Sequence, residues 1–132
     1  MHGLHLTADL RGCRHDAAPM IDLQALRELC LSAVRSAGLT AVGELFHRYA
    51  TPPGAAAPAG VTGVVLLAES HLAVHTWPEL CAVTLDVYVC NFGADNSLRA
   101  PRVIDALIAA FEPRDVERHA LQRGAAPAGL AA

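Results

Sequence analysis

Residues 82–90, Ala-Val-Thr-Leu-Asp-Val-Tyr-Val-Cys, set Val83, Leu85, Val87 and Val89 at every second position against Thr84, Asp86, Tyr88 and Cys90. Successive side chains of a strand point to opposite faces, so this period describes a β-strand buried on one side and is incompatible with a helix of 3.6 residues per turn. The same alternation opens the chain, with Leu4, Leu6, Ala8 and Leu10 on one side, His5, Thr7 and Asp9 on the other, and an end near Gly12. Apolar runs at Val61–Ala68 and Leu72–Trp77, a stretch at 40–49 and a weaker one at 115–122 complete the strand candidates. The middle of the chain is therefore expected to be sheet.

Two segments follow the other period. After Asp22, a suitable N-cap, Leu23, Leu26, Cys30 and Val34 recur at helical spacing until Gly38 supplies a left-handed stop. Asn96-Ser97 can cap a second helix, with Pro101 in its first turns and Val103, Leu107, Ile108 and Phe111 as its apolar stripe. Strands interleaved with two amphipathic helices predict an α+β fold, a two-layer α/β sandwich with a mainly antiparallel sheet and both helices on one face. A chain of 132 residues, 53% hydrophobic, suits a single domain over 1–132. The Pro/Ala/Gly-rich stretch Thr51–Gly60 reads as a loop and a tolerated insertion, and 124–132 as a frayed tail.

Ten Lys and Arg against thirteen Asp and Glu, for a formal charge of −3, provide no basic footprint for nucleic acid or an anionic membrane. A small molecule or a protein is the expected partner. The start, Met1-His2-Gly3-Leu4-His5, has no basic run followed by a long apolar one, and no stretch reaches the roughly 18 apolar residues of a spanning helix, so a cytoplasmic location is expected. Cys13, Cys30, Cys81 and Cys90 form no C-x-x-C pair, which argues against a zinc knuckle.

The segment Leu66–Glu79 carries polar residues where core packing would not ask for them. Glu69-Ser70 falls between two strand-like runs, yet a two-residue hairpin favours Asn-Gly or Asp-Gly, which accept positive φ. On a strand, His71, Ala73, His75 and Trp77 share one face and Leu72, Val74 and Thr76 the other. Taken alone, a serine in a turn and a histidine on a strand are more often structural than chemical. His71 and His75, four residues apart, would be separated by roughly 13 Å on a strand, too far for one zinc, so no metal site is expected. Ala68-Glu-Ser-His-Leu72 also lacks the G-x-S-x-G elbow of a serine hydrolase.

Glu69-Ser70-His71-Leu72, His75-Thr-Trp-Pro-Glu79 and Asp86-Val-Tyr-Val-Cys90, in this spacing, resemble the bacterial S-adenosylmethionine decarboxylase proenzyme family, the short prokaryotic, pyruvoyl-dependent form. The likeness extends more loosely from the opening strand through Phe46-His-Arg-Tyr49 to the second helix, leaving out the Pro/Ala loop and the tail. It implies self-cleavage between Glu69 and Ser70 into a β chain, 1–69, and an α chain, 70–132, whose first residue becomes a pyruvoyl group. That ketone would form a Schiff base with the substrate amine, with no metal and no pyridoxal phosphate required. The resemblance assigns His75 to processing, together with Thr62 where the family has a serine, and Cys90 to protonation of the product. It places Tyr49, Trp77, Glu79 and Leu72 around the nucleoside, and Asp9, where the family has glutamate, near the amino acid end. It further implies a homodimer and a role in spermidine biosynthesis. Three rival readings remain at this point: the same pyruvoyl chemistry on arginine or ornithine, an uncut and silent nucleoside-binding or regulatory homologue, and an unrelated Ser/His hydrolase.

Overall fold

The computed structural model describes residues 2–91 and 95–124. Six strands, β1 (Gly3–Arg11), β2 (Ala41–Arg48), β3 (Val61–Leu67), β4 (Ser70–Trp77), β5 (Ala82–Cys90) and β6 (Asp115–Arg123), form one sheet in the order β2-β3-β4-β5-β1-β6. Every neighbouring pair is antiparallel. Helices α1 (Ala18–Ile21), α2 (Leu23–Ser36) and α3 (Arg99–Phe111) pack on one side of it, so the molecule is the two-layer sandwich that the alternating strands and amphipathic helices predict. No helix among the described residues is long and apolar enough to cross a membrane. Of the tail expected at 124–132, residues 125–132 lie outside the described ones.

The apolar members of each alternation turn toward the helices. Leu10, Val65, Leu72, Val74, Leu85 and Val87 meet Leu26, Cys30 and Val34 of α2 and Val103, Ile104, Leu107 and Phe111 of α3 in one buried cluster. Each such leucine or valine stabilises the fold by about 1.5–3 kcal/mol relative to leaving it in water. The Asp22 carboxylate accepts from the amide of Gln24 at 3.1 Å and caps α2, while Gly38 leaves the helix at φ +83°.

Two details depart from expectation. The short α1 went unread because four residues carry no periodicity and Pro19 looks like a breaker; at the first turn a proline loses no bond it would otherwise make. Asn96 and Ser97 do not serve as the side-chain cap of α3, whose N-cap is Leu98 with no side-chain bond. The Asn96 amide group instead donates to the Cys90 carbonyl at 3.0 Å, and its backbone carbonyl accepts from the amides of Arg99 and Ala100.

The polar members of the alternations, including His5, Thr7, Asp9, Thr62, His71, His75, Trp77, Thr84, Asp86 and Tyr88, form the opposite face, which no helix among the described residues covers. An antiparallel sheet tolerates one uncovered face. Leu45, 70% exposed, Leu66, 49%, and Leu121, 59%, leave this one partly apolar.

Candidate functional site

β3 and β4 are joined by Ala68 and Glu69 alone, with Leu67 paired to Ser70. The sequence argued against a simple hairpin here, yet one forms. The inward set Val65, Leu67, Leu72 and Val74 dictates the register, and the turn accepts what that register leaves it. The consequence is a glutamate at φ +57°, a left-handed conformation that costs a residue with a Cβ about 1–2 kcal/mol. Ser70 follows at once, only 8% exposed, its Oγ accepting from the Cys90 amide at 2.9 Å. The Glu69–Ser70 peptide bond thus lies between a strained residue and a buried hydroxyl. Cys90, 5% exposed, ends β5 opposite Gly3.

A second group occupies the uncovered face near the other end of β4. Thr62 on β3 is paired with His75 on β4, and the Thr62 hydroxyl lies 2.5 Å from His75 Nδ1. The His75 and Trp77 rings lie 5.8 Å apart. Beside them a cavity of about 430 Å³ is bounded by Tyr49, His75, Trp77, Glu79 and residues of the 51–60 loop. Pro78–Leu80 form one turn of 3₁₀ helix that carries Glu79 past the end of the strand.

These two groups are not brought together within one chain. Ser70 and His75 are separated by five residues of strand, roughly 17 Å at about 3.3 Å each, and point to opposite faces of the sheet. Leu72 does not join Trp77 and Glu79: it faces the helices at 1% exposure and is a core residue. Asp9 is paired with Thr84, which is paired in turn with His75, so it lies two strands from the imidazole, roughly 10 Å across the sheet, and does not line the cavity.

Sequence reasoning missed a cluster beside Ser70. His5 stacks on Tyr88 at 6.1 Å, His71 meets both rings edge-on at 6.4 and 5.7 Å, and the Arg123 guanidinium lies 4.9 Å from the Tyr88 ring centre. His5 Nε2 is buried without a hydrogen-bond partner among the described residues, 3.9 Å from an Asp86 oxygen. Burial, more than the neighbouring His5, holds the His71 pKa below the usual imidazole value, while Asp86 opposes the shift. The alternation shows that each of these residues faces outward; the register that sets His5, Tyr88 and His71 side by side is not local information.

The remaining cysteines divide. Cys30 is fully buried and its thiol is pushed up to about 12, and burial also raises that of Cys13. Cys81 is a turn residue at φ +51°. Among the described residues no three His, Cys, Asp or Glu side chains converge as metal ligands.

Residues 4–124 match the family model described as S-adenosylmethionine decarboxylase. The S-adenosylmethionine decarboxylase proenzyme of Aquifex aeolicus is 38% identical over 122 residues, spanning 92% of this chain and 81% of the relative. That of Picrophilus torridus is 35% identical over 92% of this chain and 84% of the relative. Among solved structures, the adenosylmethionine decarboxylase from Aquifex aeolicus superposes with a TM-score of 0.81 at 33% identity, covering 98% of this chain and 97% of that one. A Trypanosoma brucei enzyme monomer, 14% identical, shares the fold over 87% of this chain and 44% of its own, with a TM-score of 0.55.

Proposed function

Since the chain belongs to the S-adenosylmethionine decarboxylase family, we propose that it is a self-processing decarboxylase of S-adenosylmethionine, supplying the aminopropyl donor of spermidine synthesis. The observation that carries the reading is the strained Glu69 next to the buried Ser70 hydroxyl, at the bond where such a proenzyme would cut itself. The Ser70 hydroxyl attacks the Glu69 carbonyl carbon, the amide becomes an ester, and relief of the left-handed turn favours the exchange. Removal of the Ser70 α-proton then expels the Glu69 carboxylate, and water replaces the nitrogen of the remaining dehydroalanine as ammonia departs.

The pyruvoyl group so made offers a ketone for the substrate amine and an acceptor for the electron pair left as carbon dioxide departs. The residues present fit that role: position 70 is buried and bonded to the strand that carries Cys90, whose thiol can return a proton to the product carbon. Tyr49 and Trp77 provide aromatic faces for adenine and for the sulfonium, and the Glu79 carboxylate can accept from the ribose hydroxyls. Asp9, outside the cavity, is assigned to the amino acid end of the substrate.

His75 is the natural base for the Ser70 α-proton, with Thr62 bonded to it, but it cannot reach Ser70 of its own chain. A second copy removes the difficulty. We assign the protein as a homodimer whose uncovered sheet faces meet, bringing Thr62 and His75 of one chain over the first residue of β4 in the other, so that His75 approaches the Ser70 α-carbon and its proton from the face opposite the helix-facing hydroxyl. The exposed Leu45, Leu66 and Leu121 would be covered by the same contact.

Intact-mass measurement on freshly purified protein tests the cleavage. Two fragments meeting between 69 and 70, the second labelled by phenylhydrazine, together with carbon dioxide released from S-adenosylmethionine, are expected. A persistent full-length chain that resists the reagent overturns the proposal.

A further inference from the structure

The stretch Thr51–Gly60 reads from sequence as a tolerated insertion, yet it forms one side of the cavity against Trp77 and Glu79. It is not a loose flap. The Tyr49 amide donates to the Gly60 carbonyl at 3.1 Å, the Ala59 amide to the Thr51 hydroxyl at 3.0 Å, and the Ala55 amide to the Pro52 carbonyl at 3.1 Å. Three prolines restrict the backbone, and Gly54 turns it at φ +77°. At its end the loop is pressed onto β4: a Cβ on Gly60 would lie 1.9 Å from the Thr76 carbonyl oxygen, and the Thr76 hydroxyl accepts from the Val61 amide at 2.9 Å. Ala57, Pro58 and Ala59 are half-buried on the cavity side.

No ionisable side chain occurs from Ala50 to Gly60. The wall is therefore apolar and small-residued, shaped before any ligand arrives, and it faces an indole across a space of about 430 Å³, within the range of about 300–1,000 Å³ usual for small-molecule sites. Such a slot accepts a flat base with two apolar faces. A bare amino acid would leave it unfilled, and the loop side gives a guanidinium or ammonium head group no partner for the hydration lost against it, leaving such a group only the opposite wall of Tyr49, Trp77 and Glu79.

We propose that the 51–60 loop is the specificity wall of the substrate site, completing with Trp77 a slot for the nucleobase and so selecting a nucleoside-bearing substrate over arginine or ornithine. This rests on the decarboxylase reading for its substrate, but the slot itself can be tested apart from turnover. Methylthioadenosine, which keeps the nucleoside and lacks the amino acid, is titrated calorimetrically into the mature protein and into the uncut Ser70→Ala protein, each with and without Ala57→Val and Ala57→Trp. Affinity is expected to fall in order of added volume, reaching at least about tenfold for tryptophan. In the mature enzyme, KM for S-adenosylmethionine rises in parallel, kcat and the rate of ketone capture by hydroxylamine hold, and arginine and ornithine remain poor substrates. Nucleoside binding that ignores residue 57 overturns the wall, whatever the activity. Binding that tracks residue 57 in a protein releasing no carbon dioxide from S-adenosylmethionine sinks the decarboxylase reading and supports the slot.

Discussion

At the scale of single residues, the imidazole beside the cleavage point has a pH consequence whose sign can be worked out. The folded-state pKa of His71 lies below that of the unfolded chain, about 6.5, because burial penalises the cation and His5 and Arg123 add to that penalty. The unfolded chain therefore takes up the proton first as pH falls. Stability on this account is full above about 6.5 and is lost as pH drops from there toward the folded value. Thermal melts between pH 7.5 and 5.5, on a Ser70→Ala background that keeps the chain whole, are expected to show a smaller loss in His71→Asn than in its parent. Equal slopes in the two proteins contradict the assignment. Nothing in the tripeptide Glu69-Ser70-His71 reveals this, since the burial comes from neighbours on β1 and β5.

At the scale of elements, β4 organises the site by presenting its two faces to different tasks. Ser70, Leu72, Val74 and Thr76 face the helices, and His71, His75 and Trp77 the uncovered side. The alternation made this division legible for residues 71–77; what it left open is that the strand begins at Ser70 and so puts that residue on the side opposite the histidine assigned to it. The start of β3 depends on a close approach of backbones at Gly60, where no side chain fits against Thr76. Gly60→Ala is expected to destabilise by about 1–3 kcal/mol, the usual cost of forcing extra carbon into a packed contact. It should also loosen the 51–60 wall, so a lower denaturation midpoint is expected together with weaker nucleoside binding. A variant with an unchanged midpoint would show that the loop yields at no cost.

At the scale of the whole molecule, the separation of Ser70 from His75 makes processing a test of assembly. Coexpressed Ser70→Ala and His75→Ala chains, tagged differently, should form mixed dimers in which only the His75→Ala chain is cut, because its Ser70 meets the intact histidine of its partner. His75→Ala expressed alone should remain whole. A mixture in which it stays whole as well places the base within the same chain and removes the argument for face-to-face pairing. Strand alternation, helix periodicity and the Glu69–Glu79 motif block were determined by the sequence itself, since period and short-range spacing are local properties of a chain. Which strands are neighbours, that Leu72 is core, that the 51–60 loop closes a cavity and that Ser70 and His75 lie roughly 17 Å apart were decided only in the tertiary structure. Those facts follow from sheet order and register, which are settled by long-range burial of the whole apolar set and are encoded in no single segment.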